Sequence, residues 1–248
     1  MTRRPLIVGN WKMHKTVAET HTLLSELRAA ELPRGVQVVA APPFTALGSA
    51  GEALRGSSIE LGAQTMHYAA SGPYTGEISP VMLRELGVDW VILGHSERRA
   101  ICNESDDDVA LKVRAALAHD ITPIVAVGET AIEHERAETI GKVTFQVRAA
   151  FAGLTAVEVA KCVVAYEPIW AIGTGRNDEP ESANAVIAEI RAAVDGLQNA
   201  RCLYGGSMSP ENAATLMAQP QIDGGLVGGA SLRARSFLSI VEAARART

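Results

Sequence analysis

Short, almost wholly apolar runs alternate with amphipathic stretches along the chain. The runs are Leu6–Trp11, Val36–Ala41, Ile59–Gln64, Trp90–Leu93, Thr122–Val127, Cys162–Tyr166, Arg201–Tyr204 and Gly225–Val227. Continuous apolarity, rather than alternation, marks strands buried on both faces, as in a parallel sheet. Helix signals lie between them. Ser79-Pro80 offers an N-cap and a first-turn proline with Gly87 as a stop, and Ser209-Pro210 repeats the start ahead of Leu216 and Met217. Glu181–Leu197 sets Val186, Ile187, Ile190, Val194 and Leu197 on one stripe. Eight strand–helix units in 248 residues predict an α/β fold, a single (β/α)8 barrel domain over 1–248. The rival, an open doubly wound sheet, would place Gly-x-Gly-x-x-Gly after its first strand, where the chain reads Gly9-Asn10-Trp11-Lys12. No linker or low-complexity tract divides the chain.

A barrel of this kind gathers its chemistry at the C-terminal ends of its strands. Asn10 and Lys12 follow the first predicted strand, Gln64 the third, His95 and Glu97 the fourth, Glu129 the fifth and Glu167 the sixth. Gly205-Gly206-Ser207 follows the seventh and Gly228-Gly229 the eighth. Glu167 is the most telling of these. Pro168 ends the strand directly behind it, and Ile169-Trp170-Ala171-Ile172 between Pro168 and Gly173-Thr174-Gly175 resembles a stiff apolar flap with flexible ends. A carboxylate beside such a flap suits a base working under a lid with water excluded. Each glycine pair alone is an ordinary tight turn. Both pairs together, on the last two loops of a barrel, point to phosphate held on backbone N–H groups.

Lys12 supplies a compact positive charge for a phosphate or a developing enolate oxygen. A Schiff base is its alternative, but the carboxylate at the sixth strand favours proton transfer. His95 sits at a helix start in Gly94-His95-Ser96-Glu97-Arg98-Arg99, where the helix amides disfavour an imidazolium and leave a neutral ring that donates a hydrogen bond. Glu97 reads as an ion-pair partner of Arg98, Arg99 or Lys12, and Glu129, just ahead of Thr130, as a helix cap.

Composition narrows the classes further. Twenty-three Lys and Arg against 28 Asp and Glu give a net charge of −5 with no basic block, which argues against nucleic acid and anionic membrane as partners. Three scattered cysteines, Cys102, Cys162 and Cys202, make neither a disulfide framework nor a zinc site and fit a reducing compartment, and the histidines show no metal-ligand spacing. No apolar run approaches a membrane span, and the N-terminal residues lead into a strand rather than a signal segment.

Asn10-Trp11-Lys12, Gly94–Arg99, Ala165–Arg176, Tyr204–Ser207 and Leu226–Leu232, in this order, resemble the triosephosphate isomerase family over essentially the whole chain. The resemblance implies a TIM barrel that interconverts dihydroxyacetone phosphate and D-glyceraldehyde 3-phosphate without metal or organic cofactor, as a cytoplasmic homodimer. It casts Glu167 as the proton-shuttling base, His95 as the neutral electrophile and Lys12 as the cation on the enediolate. Asn10 would bind substrate, while Gly173, Ser207, Gly228 and Gly229 would hold phosphate. Pro168–Gly175 would form the lid, and the loop from Gln64 through Thr75 to Glu77 would reach the partner subunit. Three positions depart from the family's pattern: Ala126 where cysteine is usual, Thr65 where asparagine is usual, and Pro73-Tyr74 in place of Ala-Phe. The alternatives are a paralogue acting on a tetrulose phosphate and an idle barrel used as a scaffold.

Overall fold

Strand β1 runs Leu6–Asn10, β2 Gln37–Ala41, β3 Ile59–Ala63, β4 Trp90–Leu93, β5 Thr122–Val127, β6 Val163–Tyr166, β7 Arg201–Tyr204 and β8 Gly224–Val227. In this computed structural model, which describes residues 3–172 and 178–247, they pair in parallel and in sequence order, and β8 closes on β1. The expected strands all form, three with the expected ends and five with one end displaced by a residue: Trp11, Val36, Gln64 and Cys162 fall just outside, and Gly224 joins β8.

Successive strand residues point to opposite faces, and in a closed barrel one face is the inside. One buried cluster, Leu6, Val8, Val39, Ala41, Trp90, Ile92, Ile124, Val163, Ala165, Leu203 and Leu226, fills the barrel. Residues of the other parity, such as Ile7, Val38, Val91, Val125, Val164 and Tyr166, belong to the larger cluster between barrel and helices. Continuing the inward parity upward by one step reaches Asn10 on β1, Glu167 beyond β6, Gly205 beyond β7 and Gly228 beyond β8. The pleat therefore delivers these residues to the top of the barrel.

Continued downward, the same parity reaches Gln37, Glu60 and Arg201. Gln37 Nε2 donates to Glu60 Oε1 at 2.7 Å, the Trp90 indole N–H donates to Glu60 Oε2 at 2.7 Å, and the Arg201 guanidinium lies 5.1 Å from the Trp90 ring centroid. These side chains satisfy one another and form a polar floor.

Helix starts mostly follow the sequence signals. Ser79 caps Pro80–Glu85 by accepting from the Met82 N–H, and Gly87 takes φ +76° beyond the helix end. The stripe expected over Glu181–Leu197 lies on a helix Pro180–Ala193, which buries Val186, Ile187 and Ile190 and stops where Val194 turns extended. Ser209-Pro210 does not open its helix directly. The Ser209 N–H donates to the Asn212 side chain at 2.8 Å, which forms a turn, and the helix runs only Ala213–Met217.

Candidate active site

Glu167 is almost fully buried, at 1 % exposure, at the inner rim of the barrel. Its own N–H donates to the Val127 carbonyl at 2.8 Å, extending the β5–β6 ladder by one residue before Pro168 ends it. Oε2 accepts the Ser96 N–H at 2.9 Å, and Oε1 stands 3.0 Å from His95 Nε2.

His95 is the N-cap of the helix Ser96–Ile101, and its Nδ1 accepts the Glu97 N–H at 3.2 Å. A ring whose Nδ1 accepts is neutral and carries its proton on Nε2. Nε2–H is thus a donor aimed at the rim beside Glu167.

Lys12 adopts φ +53°, a left-handed conformation that costs energy for any residue with a Cβ. Two side chains hold it there. Its N–H donates to Asn10 Oδ1 at 3.1 Å, and Gln64 Nε2 donates both to the Lys12 carbonyl at 2.8 Å and to the Ala41 carbonyl at 2.9 Å. Lys12 Nζ then meets Glu97 Oε1 at 2.6 Å, so of the three cations open to Glu97 the structure selects Lys12. Arg98 pairs with Glu104 and Arg99 with Asp106 instead.

Glycine positions around the carboxylate have different causes. A Cβ on Gly128 would collide with the Glu167 carbonyl oxygen, one on Gly205 would lie 2.8 Å from Glu167 Cγ, and one on Gly206 would strike the Tyr204 ring and Pro168. Glycine in the fifth and seventh loops therefore makes room for Glu167 and the start of the flap. Among the described residues a Cβ on Gly228 would meet only the Lys12 side chain, with Cε at 3.4 Å, and one on Gly229 would meet nothing within 4 Å. The eighth loop faces open space, as an anion cradle requires. Ser231 braces it through its N–H and hydroxyl, both donating to the Gly228 carbonyl.

A single cavity of about 450 Å³ joins these parts, lined among others by Asn10, Lys12, His95, Glu167, Ser207, Gly228 and Gly229. Arg233 and Ser236 also border it, and sequence reasoning had not named either.

Of the flap, Pro168, Ile169, Trp170, Ala171 and Ile172 are described, with Ile169–Ala171 as one tight helical turn. Gly173, Thr174 and Gly175 lie outside the described residues. Ile172 borders the cavity, whereas Trp170 turns away and donates its indole N–H to Glu129 Oε1 at 2.7 Å. Glu129 is consequently not the helix cap the sequence suggested. Thr130 and Glu133 make that capping box, while Glu129, wholly buried, also accepts the Tyr166 hydroxyl at 3.1 Å and, at its carbonyl, the Ile169 N–H at 3.2 Å.

Glu104 is a second group the sequence did not reveal. It is buried beneath the fourth loop, accepts the Gly94 N–H at 2.9 Å and pairs with Lys112 and Arg98, fixing the backbone that carries His95. Thr75 and Glu77 lie exposed at the tip of the third loop, whose base is closed by the His67 N–H donating to the Ile78 carbonyl at 2.8 Å. Thr65 is buried, and its hydroxyl has no hydrogen-bond partner among the described residues. Burial pushes the thiols of Cys162 and Cys202 up to about 12, which leaves both inert as nucleophiles.

Comparison with known proteins matches residues 5–244 to the family model described as triosephosphate isomerase. Triosephosphate isomerase of Alkaliphilus metalliredigens is 49 % identical over 245 residues, covering 96 % of this chain and 99 % of that protein. That of Roseiflexus sp. (strain RS-1) is 50 % identical over 246 residues, covering 96 % and 97 %, and that of Bordetella pertussis 49 % over 243 residues, covering 97 % and 98 %. With a family model over nearly its whole length and relatives at about half identity, the chain belongs to the triosephosphate isomerase family.

Proposed function

We propose that Glu167, His95 and Lys12 carry the family's reaction in this chain, the interconversion of dihydroxyacetone phosphate and D-glyceraldehyde 3-phosphate. Glu167 takes a proton from one carbon and returns it to the next. Its Oε1, which has no backbone donor among the described residues, is the oxygen suited to that task. The Nε2–H of His95 polarises the carbonyl, and Lys12 Nζ stabilises the negative enediolate oxygen. Asn10 orients the substrate, and the phosphate rests on the backbone of Ser207, Gly228 and Gly229, with Gly173 joining from the lid. The observation that carries this reading is the cavity itself, which puts a buried carboxylate, a neutral donor, a cation and two glycine loops around a space sized for a small phosphorylated sugar.

Turnover of dihydroxyacetone phosphate, a tetrulose phosphate and glyceraldehyde by one preparation tests it. The triose phosphate should exceed the tetrulose phosphate by roughly tenfold or more in kcat/KM, and glyceraldehyde should be nearly inert because remote phosphate binding drives the proton transfer. Equal or faster turnover of the tetrulose phosphate would assign the site to the longer ketose.

A homodimer is the assembly that best accounts for the rim. Beside the active site runs a groove bordered by Met13, Phe44, Gln64, Thr65, Ile101 and Cys102, with Met13 94 % and Ile101 77 % exposed. The loop through Thr75 and Glu77 of a second copy is its proposed occupant. Thr75→Arg would bring a desolvated charge into that interface and is expected to yield a monomer of strongly reduced activity by sedimentation and assay. A monomeric parent, or a monomeric variant with full activity, would refute the loop's role. A cytoplasmic location accords with the unpaired cysteines. Among the described residues no helix is long and apolar enough to cross a membrane.

A further inference from the structure

The turn that begins the lid is held from outside by a histidine that the proposed chemistry does not use. His134 lies on the helix Ala131–Glu135, and its ring is stacked on the Trp170 indole with centroids 4.3 Å apart and planes inclined by 27°. Its Nδ1 stands 3.5 Å from Glu129 Oε1, the oxygen that also receives the Trp170 N–H. The carboxylate is wholly buried, but the imidazole side chain is 44 % exposed and open to protons from bulk water.

A protonated ring would put a cation both against that carboxylate and over the indole face, and both contacts attract. The other described groups around it do not reverse the sign. Asp178 is buried nearby, and burial holds its carboxyl above the ordinary range. The turn Ile169–Ala171 brings no charge. On the helix Thr139–Ala150, Lys142 is paired with Glu133 and Arg148 donates to the Ala193 carbonyl. On the ring's own helix Glu133 is offset by Lys142 and Glu135 by Arg136 just beyond it, so the carboxylate of Glu129 sets the sign.

We propose that His134 is a positioning residue for the lid, latching Trp170 against Glu129 and holding it more tightly once protonated. This rests on the lid reading of 168–175 given above. Trp170 belongs to the turn Ile169–Ala171, so closure that carries that turn toward the cavity draws the indole off Glu129 and His134. Acid therefore opposes closure.

The test compares the whole protein with its His134→Gln variant from about pH 8 to about pH 5.5, the span in which histidine changes charge. Titration of Glu167, His95 and the substrate phosphate is common to both proteins and cancels in the ratio of their kcat/KM values. That ratio should shift about two- to fivefold toward the variant as pH falls. Intrinsic fluorescence supplies a second readout, because a protonated imidazole quenches an indole stacked on it. The acid quenching step should be present in the parent and absent from both His134→Gln and Trp170→Phe. A ratio that stays flat, or a quenching step that survives either substitution, overturns the latch. If neither protein isomerised a triose phosphate, the functional reading would fall, while the fluorescence step would still decide the latch.

Discussion

Glu167→Gln is expected to fold as the parent does, bind a phosphate-bearing ligand nearly as well, and lose about 10²–10⁴ in kcat. The amide copies the carboxylate's shape, and its oxygen can still accept the Ser96 N–H that now holds Oε2 at 2.9 Å. What disappears is the proton acceptor 3.0 Å from His95 Nε2, since an amide nitrogen there would present a donor to a donor. Because the missing interaction belongs to the reaction step, kcat and kcat/KM should fall together. A coupled assay beside calorimetry of a phosphorylated inhibitor separates the two quantities. Retention of more than about a tenth of the parent's turnover would move the base to another carboxylate. The alternatives start poorly placed. Glu97 is committed to Lys12 at 2.6 Å, and Glu129 is buried under Tyr166 and Trp170.

Lys12→Met is expected to cost about 10²–10³ or more in kcat/KM, with weaker binding contributing alongside slower chemistry. Two effects act in one direction. The positive charge facing the cavity is lost, and Glu97, whose partner it was, becomes an unpaired carboxylate at the rim that repels a phosphate dianion. Methionine tolerates the left-handed backbone no worse than lysine, and Asn10 and Gln64 would still hold that backbone, so the fold should persist. Circular dichroism and thermal melting check the fold, and inhibitor affinity checks the charge. An unchanged inhibitor affinity with kcat/KM within about tenfold of the parent would remove Lys12 from the chemistry.

Much of this molecule was legible in its sequence because the information is local. A parallel strand buried on both faces writes itself as an apolar run, and each of the eight runs became a strand with ends off by at most a residue. Because a barrel gathers its chemistry at the C-terminal ends of its strands, Asn10, Lys12, His95, Glu167 and Gly228 were placed on the rim without any knowledge of contacts, although Glu129 after the fifth strand faces away from the cavity. His95 was legible for the same reason: its N-capping position depends on neighbours one and two residues away.

What escaped depends on pairs far apart in the chain. Glu129 meets Trp170 across 41 residues, and the genuine capping box that follows it, Thr130 with Glu133, offered a local explanation that happened to be wrong for Glu129. Glu104 braces Gly94 from ten residues downstream, with no periodicity to announce it. Gly205 and Gly206 do border the cavity, but a further reason for glycine there, contact with Glu167, Tyr204 and Pro168, had no signal in the sequence. Ser209-Pro210 misled only in extent: the Asn212 and Ala213 N–H groups both donate to the Ser209 carbonyl and close a turn there, but the regular helix runs only from Ala213.

The polar floor of Gln37, Glu60, Trp90 and Arg201 bears on how such a protein can change over generations. Its members are committed to one another, and layers of apolar side chains separate them from the rim. Substitutions distant from each other, with no shared partners, combine additively. A lineage adapting to a hotter or colder habitat could therefore rework this end of the barrel, trading the half-buried polar set for other solutions, without renegotiating the reaction at the opposite mouth. Durability and chemistry become separately heritable traits of one small chain.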